Sequence, residues 1–158
     1  DSKNAIEKPI SDSKCPVKFS EAAITEIIRA SGGYPYFIQF LCRELFDAYL
    51  QRSGQGIPVA EAVRKLDSDF FLGRWSRATD RQRELLWVAA NLDHCDEEFT
   101  VQDVRDKSRE LLKKPFSNSH ISQMFSTLSE VGLIYKNRHG RYSFAVPLLG
   151  QFIKRQRQ

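Results

Sequence analysis

The residues here that could do chemistry are cationic, and they are concentrated late in the chain. From Phe99 onward there are eleven Lys and Arg against four Asp and Glu, a charge of +7 over sixty positions, whereas residues 1–98 carry thirteen against sixteen, or −3. The two sums return the net +4 of the 158-residue chain. A basic segment joined to a slightly acidic one suits an anionic partner, and nucleic acid is the commonest. Two clusters carry the charge: Lys107, Arg109, Lys113 and Lys114, then Lys136, Arg138 and Arg141. Between them, residues 119–131 offer His120, Ser122, Gln123, Ser126 and Thr127, short polar groups suited to phosphates or base edges, but no Lys or Arg. Contact with the backbone of duplex DNA is therefore expected from the two clusters, with little base reading. The alternative is a solvated basic face on a domain that binds a protein partner or its own polypeptide.

Catalytic constellations are missing from the sequence. No G-x-x-x-x-G-K-[ST] phosphate loop occurs, no G-x-G-x-x-G follows a strand, and no acidic pair closes a buried β-run to hold Mg²⁺. His94, His120 and His139 are scattered, with no nucleophile set beside them. Asp93, His94, Asp96, Glu97 and Glu98 lack the spacing of a Ca²⁺ loop and read as a solvated loop. Cys15, Cys42 and Cys95 are far apart, without a C-x-x-C pair, and read as reduced, partly buried thiols of an intracellular protein. No catalytic residue, metal ligand or cofactor is expected in this chain by itself.

The elements that must position these groups follow from periodicity and punctuation. Residues 1–17, polar and containing Pro9 and Pro16, read as a flexible linker. Ser20 then caps a short helix with a stripe of Ala23, Ile24, Ile27 and Ile28, ended by Gly32-Gly33. Pro35 opens a second helix through Phe37, Ile38, Leu41, Leu45, Phe46 and Tyr49. A third runs from near Pro58 to Gly73 with Val59, Val63, Leu66, Phe70 and Phe71 on one side, and with Trp75 the three make a small helical bundle.

Thr79-Asp80-Arg81-Gln82 has the form of a capping box, so a new helix begins there, with Leu85, Leu86, Val88 and Ala89 inward. Thr100 caps the next, through Val101, Val104, Leu111 and Leu112, which stops before Pro115. Ser117-Asn118-Ser119 introduces another, with Ile121, Met124, Phe125 and Leu128 on one face until Gly132. LIYKN and RYSFAV, separated by Arg138, His139 and Gly140, read as a β-hairpin with Leu133, Tyr135, Tyr142 and Phe144 packing inward. Three helices followed by a two-stranded wing form a winged helix-turn-helix. The fold expected is mainly α: a linker at 1–17, a helical subdomain at 18–77 and a winged-helix domain at 78–158.

No apolar run reaches the length of a membrane span, and the N-terminus lacks a signal-peptide pattern. A cytoplasmic protein that does not enter a membrane is expected. The first residue is Asp1, and the chain reads as a piece of something longer.

SGGYPYFIQFLCREL resembles the lid of prokaryotic AAA+ and STAND-type P-loop ATPases, similar to archaeal ATPases and origin-recognition initiators. The resemblance continues near Thr79 and strengthens at VGLIYKNRHGRYSFAVPLLGQFIKR, which looks like the wing and last helix of their C-terminal winged helix; it covers residues 18–156. It implies that 18–77 are a lid subdomain whose Gly33-Tyr34-Pro35 turn lies against the nucleotide of an N-terminal P-loop core, an ATPase holding ATP or ADP with Mg. Relatives of the initiator type often carry a sensor arginine early in this helix, where the present chain has Tyr36 and Phe37, with Arg43 about two turns on. The resemblance thus implies a C-terminal regulatory and DNA-binding region of an ATPase, inactive in ATP hydrolysis without its core.

Overall fold

The computed structural model of the chain describes residues 2–12 and 17–157. It is mainly helical with one small antiparallel sheet of two strands, and it divides into two compact units, Asp1–Asp69 and Phe70–Gln158.

The first unit is built from α1 (Ser2–Asp12), α2 (Glu21–Ser31), α3 (Pro35–Gln51) and α4 (Val59–Leu66). α3 packs against the other three, and Ile24, Ile27, Phe37, Ile38, Leu41, Leu45, Val59, Ala62 and Leu66 are buried among them. Ser20 caps α2 by accepting from the Ala23 N–H at 3.1 Å, and Pro35 occupies the first turn of α3, as the residue types require. The linker expected at 1–17 is corrected in part. Residues 2–12 form α1, whose Ile6 is buried and whose Lys3 bonds Glu21 of α2 at 3.0 Å. Among the described side chains of α1 only Ile6 is well buried, and with the internal Pro9 this leaves too weak a periodicity to be read as a helix, so it is packing that forms it. The rest of the expected linker that includes Cys15 and Pro16 lies outside the described residues, apart from Val17, which is buried.

The helix expected from Pro58 to Gly73 is interrupted. α4 buries Val59, Ala62 and Leu66, with Val63 only half-buried, and then Asp67–Phe71 winds as a π-helix before α5 (Leu72–Trp75). The wider turn shifts the phase of the apolar face, so that Phe71 comes five residues after Leu66. The units divide within this segment. Phe71 stacks on Phe152 at 5.2 Å and Trp75 meets the same ring edge-on at 6.0 Å, so both belong to the second unit rather than to the helical bundle.

The second unit continues with α6 (Asp80–Ala90), α7 (Val101–Leu111), α8 (Asn118–Glu130), β1 (Ile134–Arg138), β2 (Arg141–Phe144) and α9 (Leu149–Arg155). Thr79 and Gln82 form the expected capping box at the start of α6, and Thr100 with Asp103 forms another at α7. α6 packs on α7, α8 and α9, and α8 packs on α7 and β1. Leu85, Leu86, Val88 and Ala89 are buried as expected, as are Ile121, Met124, Phe125 and Leu128. In α7 the inward residue near the C-terminus is Ser108, whereas Leu111 is exposed and Leu112 already extended.

β1 and β2 pair antiparallel, with Ile134 opposite Phe144 and Lys136 opposite Tyr142, and Gly140 turns the hairpin at φ +72°, a conformation that strains residues with a Cβ. One strand residue is corrected: Ile134 points inward and Tyr135 outward, because inward Leu133 precedes the strand and the alternation starts one residue later than the sequence suggested. Phe99, between α6 and α7, adds a bridge to β2 by exchanging both backbone hydrogen bonds with Tyr142 at 2.8 and 2.9 Å.

Candidate nucleic-acid interface

The turn between α7 and α8 is held from two directions. Ser108 is buried; its hydroxyl donates to the Arg105 carbonyl at 2.7 Å and accepts the Phe116 N–H at 3.1 Å, tying the end of the turn to α7. Arg81 of α6 donates to the Lys114 carbonyl at 3.0 Å, lies 3.8 Å over the Phe116 ring, and is ion-paired with Glu84. The backbone of Lys113 and Lys114 is thereby positioned while both side chains stay exposed. Neither Ser108 nor Arg81 was singled out as functional from the sequence. Their signals were a serine at the helical spacing of Val104 and an arginine inside the capping box, and both have commoner explanations.

The basic residues divide by their partners. Lys107 pairs with Glu110 at 2.7 Å, Arg109 with Asp106 at 3.6 Å, and Arg138 with Glu98 at 2.9 Å. Among the described residues no carboxylate lies within ion-pair distance of Lys113, Lys114, Lys136 or Arg141. Arg141 still acts on Asp103 at longer range, so the three exposed lysines are the selected cations whose charge is least neutralised by neighbours. Lys113 and Lys114 precede the N-terminus of α8, and Lys136 follows its C-terminus on β1. Along α8 itself, His120, Ser122, Gln123, Ser126 and Thr127 are all exposed, with the His120 ring 5.8 Å from Phe116. Tyr135, 61% exposed, stands beside Lys136 on the hairpin. The structure thus places the sequence-selected residues on adjoining elements of one unit, α7, α8 and the hairpin.

The α7 cap is one pH-sensitive element of this surface, and Asp106 on the same helix is also held low by its Gln102 and Arg105 hydrogen bonds. Burial works to raise the Asp103 carboxyl, but the Thr100 hydroxyl and N–H, bonded at 2.8 and 2.7 Å, together with His94 and Arg141, hold it below the ordinary 3.8. A carboxyl lowered on folding contributes stability above its unfolded value, and that contribution is lost as pH falls through the folded one. The second unit should therefore lose stability below about pH 4, and Asp103→Ala should flatten that acid limb in denaturation series. An unchanged limb would remove the cap from the account.

The other sequence-selected turn lies in the first unit. Gly32 and Gly33 both have positive φ, the Tyr34 N–H donates to the Ser31 carbonyl at 3.1 Å, and a Cβ on Gly33 would come within 3.2 Å of the Ser2 hydroxyl. Gly33, Tyr34 and Pro35 form a tight α2–α3 turn with Tyr34 and Tyr36 exposed beside Phe37. Arg43 is exposed and lies 3.7 Å from Asp47. Among the described residues no group of His, Cys, Asp and Glu could hold a metal ion, and no helix is long and apolar enough to cross a membrane. Cys42 and Cys95 are free thiols; burial pushes Cys42 up to about 11, far from a reactive thiolate.

No curated protein and no solved structure matches the chain. A family model described as a domain of unknown function, DUF8462, matches residues 68–153, which is more than half of the chain and nearly the whole of the second unit. The chain belongs to this DUF8462 family.

Proposed function

We propose that residues 78–158 are a winged helix that binds duplex DNA through its sugar-phosphate backbone. Support comes from element order: α6, a bridging residue, α7, a six-residue connection, α8, then a hairpin whose second strand pairs with the bridging Phe99. That bridge supplies the short third strand of a winged-helix sheet. The observation that carries the DNA reading is the turn pinned by Ser108 and Arg81, which offers Lys113 and Lys114 without acidic partners beside a polar, exposed α8. Such a surface suits phosphates, and the lack of cations on α8 favours sequence-tolerant contact.

In the larger reading, this unit is the output of an AAA+/STAND-like ATPase whose P-loop core binds ATP or ADP with Mg. The first unit is its lid, with Gly33-Tyr34-Pro35 toward the nucleotide, and nucleotide state would reposition the winged helix. The second reading, a module that binds a protein or its own core, is favoured by the internal pairing of Lys107, Arg109 and Arg138.

Titration of a fluorescent duplex at rising salt tests the proposal. With the three uncommitted lysines, Lys113, Lys114 and Lys136, engaged, log affinity should fall against log salt with a slope of roughly −2 to −3, with little difference between sequences. Absence of binding at low salt, or a slope near zero, would reject DNA in favour of the protein module.

A further inference from the structure

Away from the basic turn, the second unit carries a concave site of different character. A cleft of about 310 Å³ is lined by Trp75, Asp80, Arg83, Glu84, Trp87, Ile153, Gln156 and Arg157. Its size falls at the lower end of the range of small-molecule sites. Both tryptophans of the chain line it, and each is only half-buried. A guanidinium lies over each indole: Arg83 is 5.6 Å from the Trp75 ring centre and Arg157 is 4.5 Å from that of Trp87.

Arg83 is held in place, while the ion pairs of both cations are loose. Arg83 donates to the carbonyls of Trp75 and Ser76, each at 3.3 Å, which fixes it at the wall. Its acid, Asp80, is fully exposed and 3.6 Å away. Glu84 lies 3.9 Å from Arg157 but is engaged much more closely by Arg81. Among the described residues three arginines thus share two carboxylates, and Arg157 has the weakest claim on either. A fixed guanidinium and a loosely paired one beside half-open indoles offer two things together: flat apolar surface for a ring, and charged N–H donors for an anionic group.

We propose that this cleft is a binding site for a small planar aromatic anion, its ring against the Trp75 and Trp87 indoles and its carboxylate or phosphate on Arg157 and Arg83. The occupant takes Arg157 from Glu84 and leaves Glu84 to Arg81, the residue that holds the Lys114 carbonyl. The inference does not depend on DNA binding.

Two tryptophans yield two indole N–H resonances, so a proton–nitrogen correlation spectrum reads this cleft directly. Naphthoate and adenosine monophosphate serve as probes of the carboxylate and phosphate sources, with naphthalene-methanol and adenosine as their uncharged counterparts. The expected result is a saturable movement of both indole resonances with at least one anion, weakened about tenfold or more in Arg157→Gln with the fold intact by the rest of the spectrum. Absence of movement at millimolar probe would overturn the proposal. So would equal movement in Arg157→Gln, or equal movement with the uncharged counterparts.

Discussion

Phe125→Ala is expected to destabilise the second unit by about 3–5 kcal/mol, the largest single-residue loss predicted for it. The ring is fully buried on α8, 6.0 Å from Phe99 and 4.8 Å from Tyr142, and Phe99 in turn lies 5.6 Å from Phe144. Truncation therefore opens a cavity where α8, the hairpin and the bridging residue meet, and the close-packed neighbours recover only part of the lost contact. Domains of this size are stable by only roughly 5–15 kcal/mol, so a loss of that order leaves a large fraction unfolded under mild denaturant. Both tryptophans lie in this unit, so their emission during urea unfolding reports on it alone. A loss below about 1 kcal/mol would mean that Phe125 is not at the centre of the packing.

The second large effect is expected on binding. Lys113→Glu with Lys114→Glu should lower duplex affinity about 100-fold or more at moderate salt and reduce the salt slope by about two. Melting of the protein should be nearly unchanged, because both side chains are exposed, neither has an acidic partner, and the turn is held through the Lys114 backbone rather than its side chain. Charge reversal at Lys107 and Arg109 should do less, since Glu110 bonds Lys107 at 2.7 Å and Arg109 lies 3.6 Å from Asp106, a carboxylate it shares with Arg105. Equal effects of the two pairs would show that internal pairing does not select the contacts. No effect of either would move the interface elsewhere.

These two experiments separate scaffold from surface. Loss of DNA binding in Phe125→Ala would follow from unfolding, whereas loss in the lysine variant with an intact melt would locate the contact at the turn.

Most of the second unit was legible in the sequence because its signals are local. Thr79-Asp80-Arg81-Gln82, Thr100 and Ser117 each place a side-chain acceptor where a helix leaves free N–H groups, and each marks a helix start in the structure. The stripe Ile121, Met124, Phe125 and Leu128 named the buried face of α8, and Gly140 marked the hairpin turn. The basic clusters were equally plain as composition.

What the sequence could not determine depended on partners distant along the chain. Residues 2–12 have too little periodicity to announce α1, whose burial of Ile6 comes from packing on α2 and α3. The π-helical turn at Asp67–Phe71 sends Phe71 and Trp75 to Phe152, some eighty residues away, and no helical period foretells that change of phase. Tyr135 was read one register out, because strand alternation is the same in either phase until a neighbour defines the inside. Most of all, residue types alone could count cations but not tell which were free. Lys107, Arg109 and Lys113 are alike in the sequence, and only the folded chain sets Glu110 and Asp106 beside the first two and leaves the third exposed in a turn held by Ser108 and Arg81. Charge is a property of the residue, but its availability depends on what the tertiary structure brings within a few ångströms.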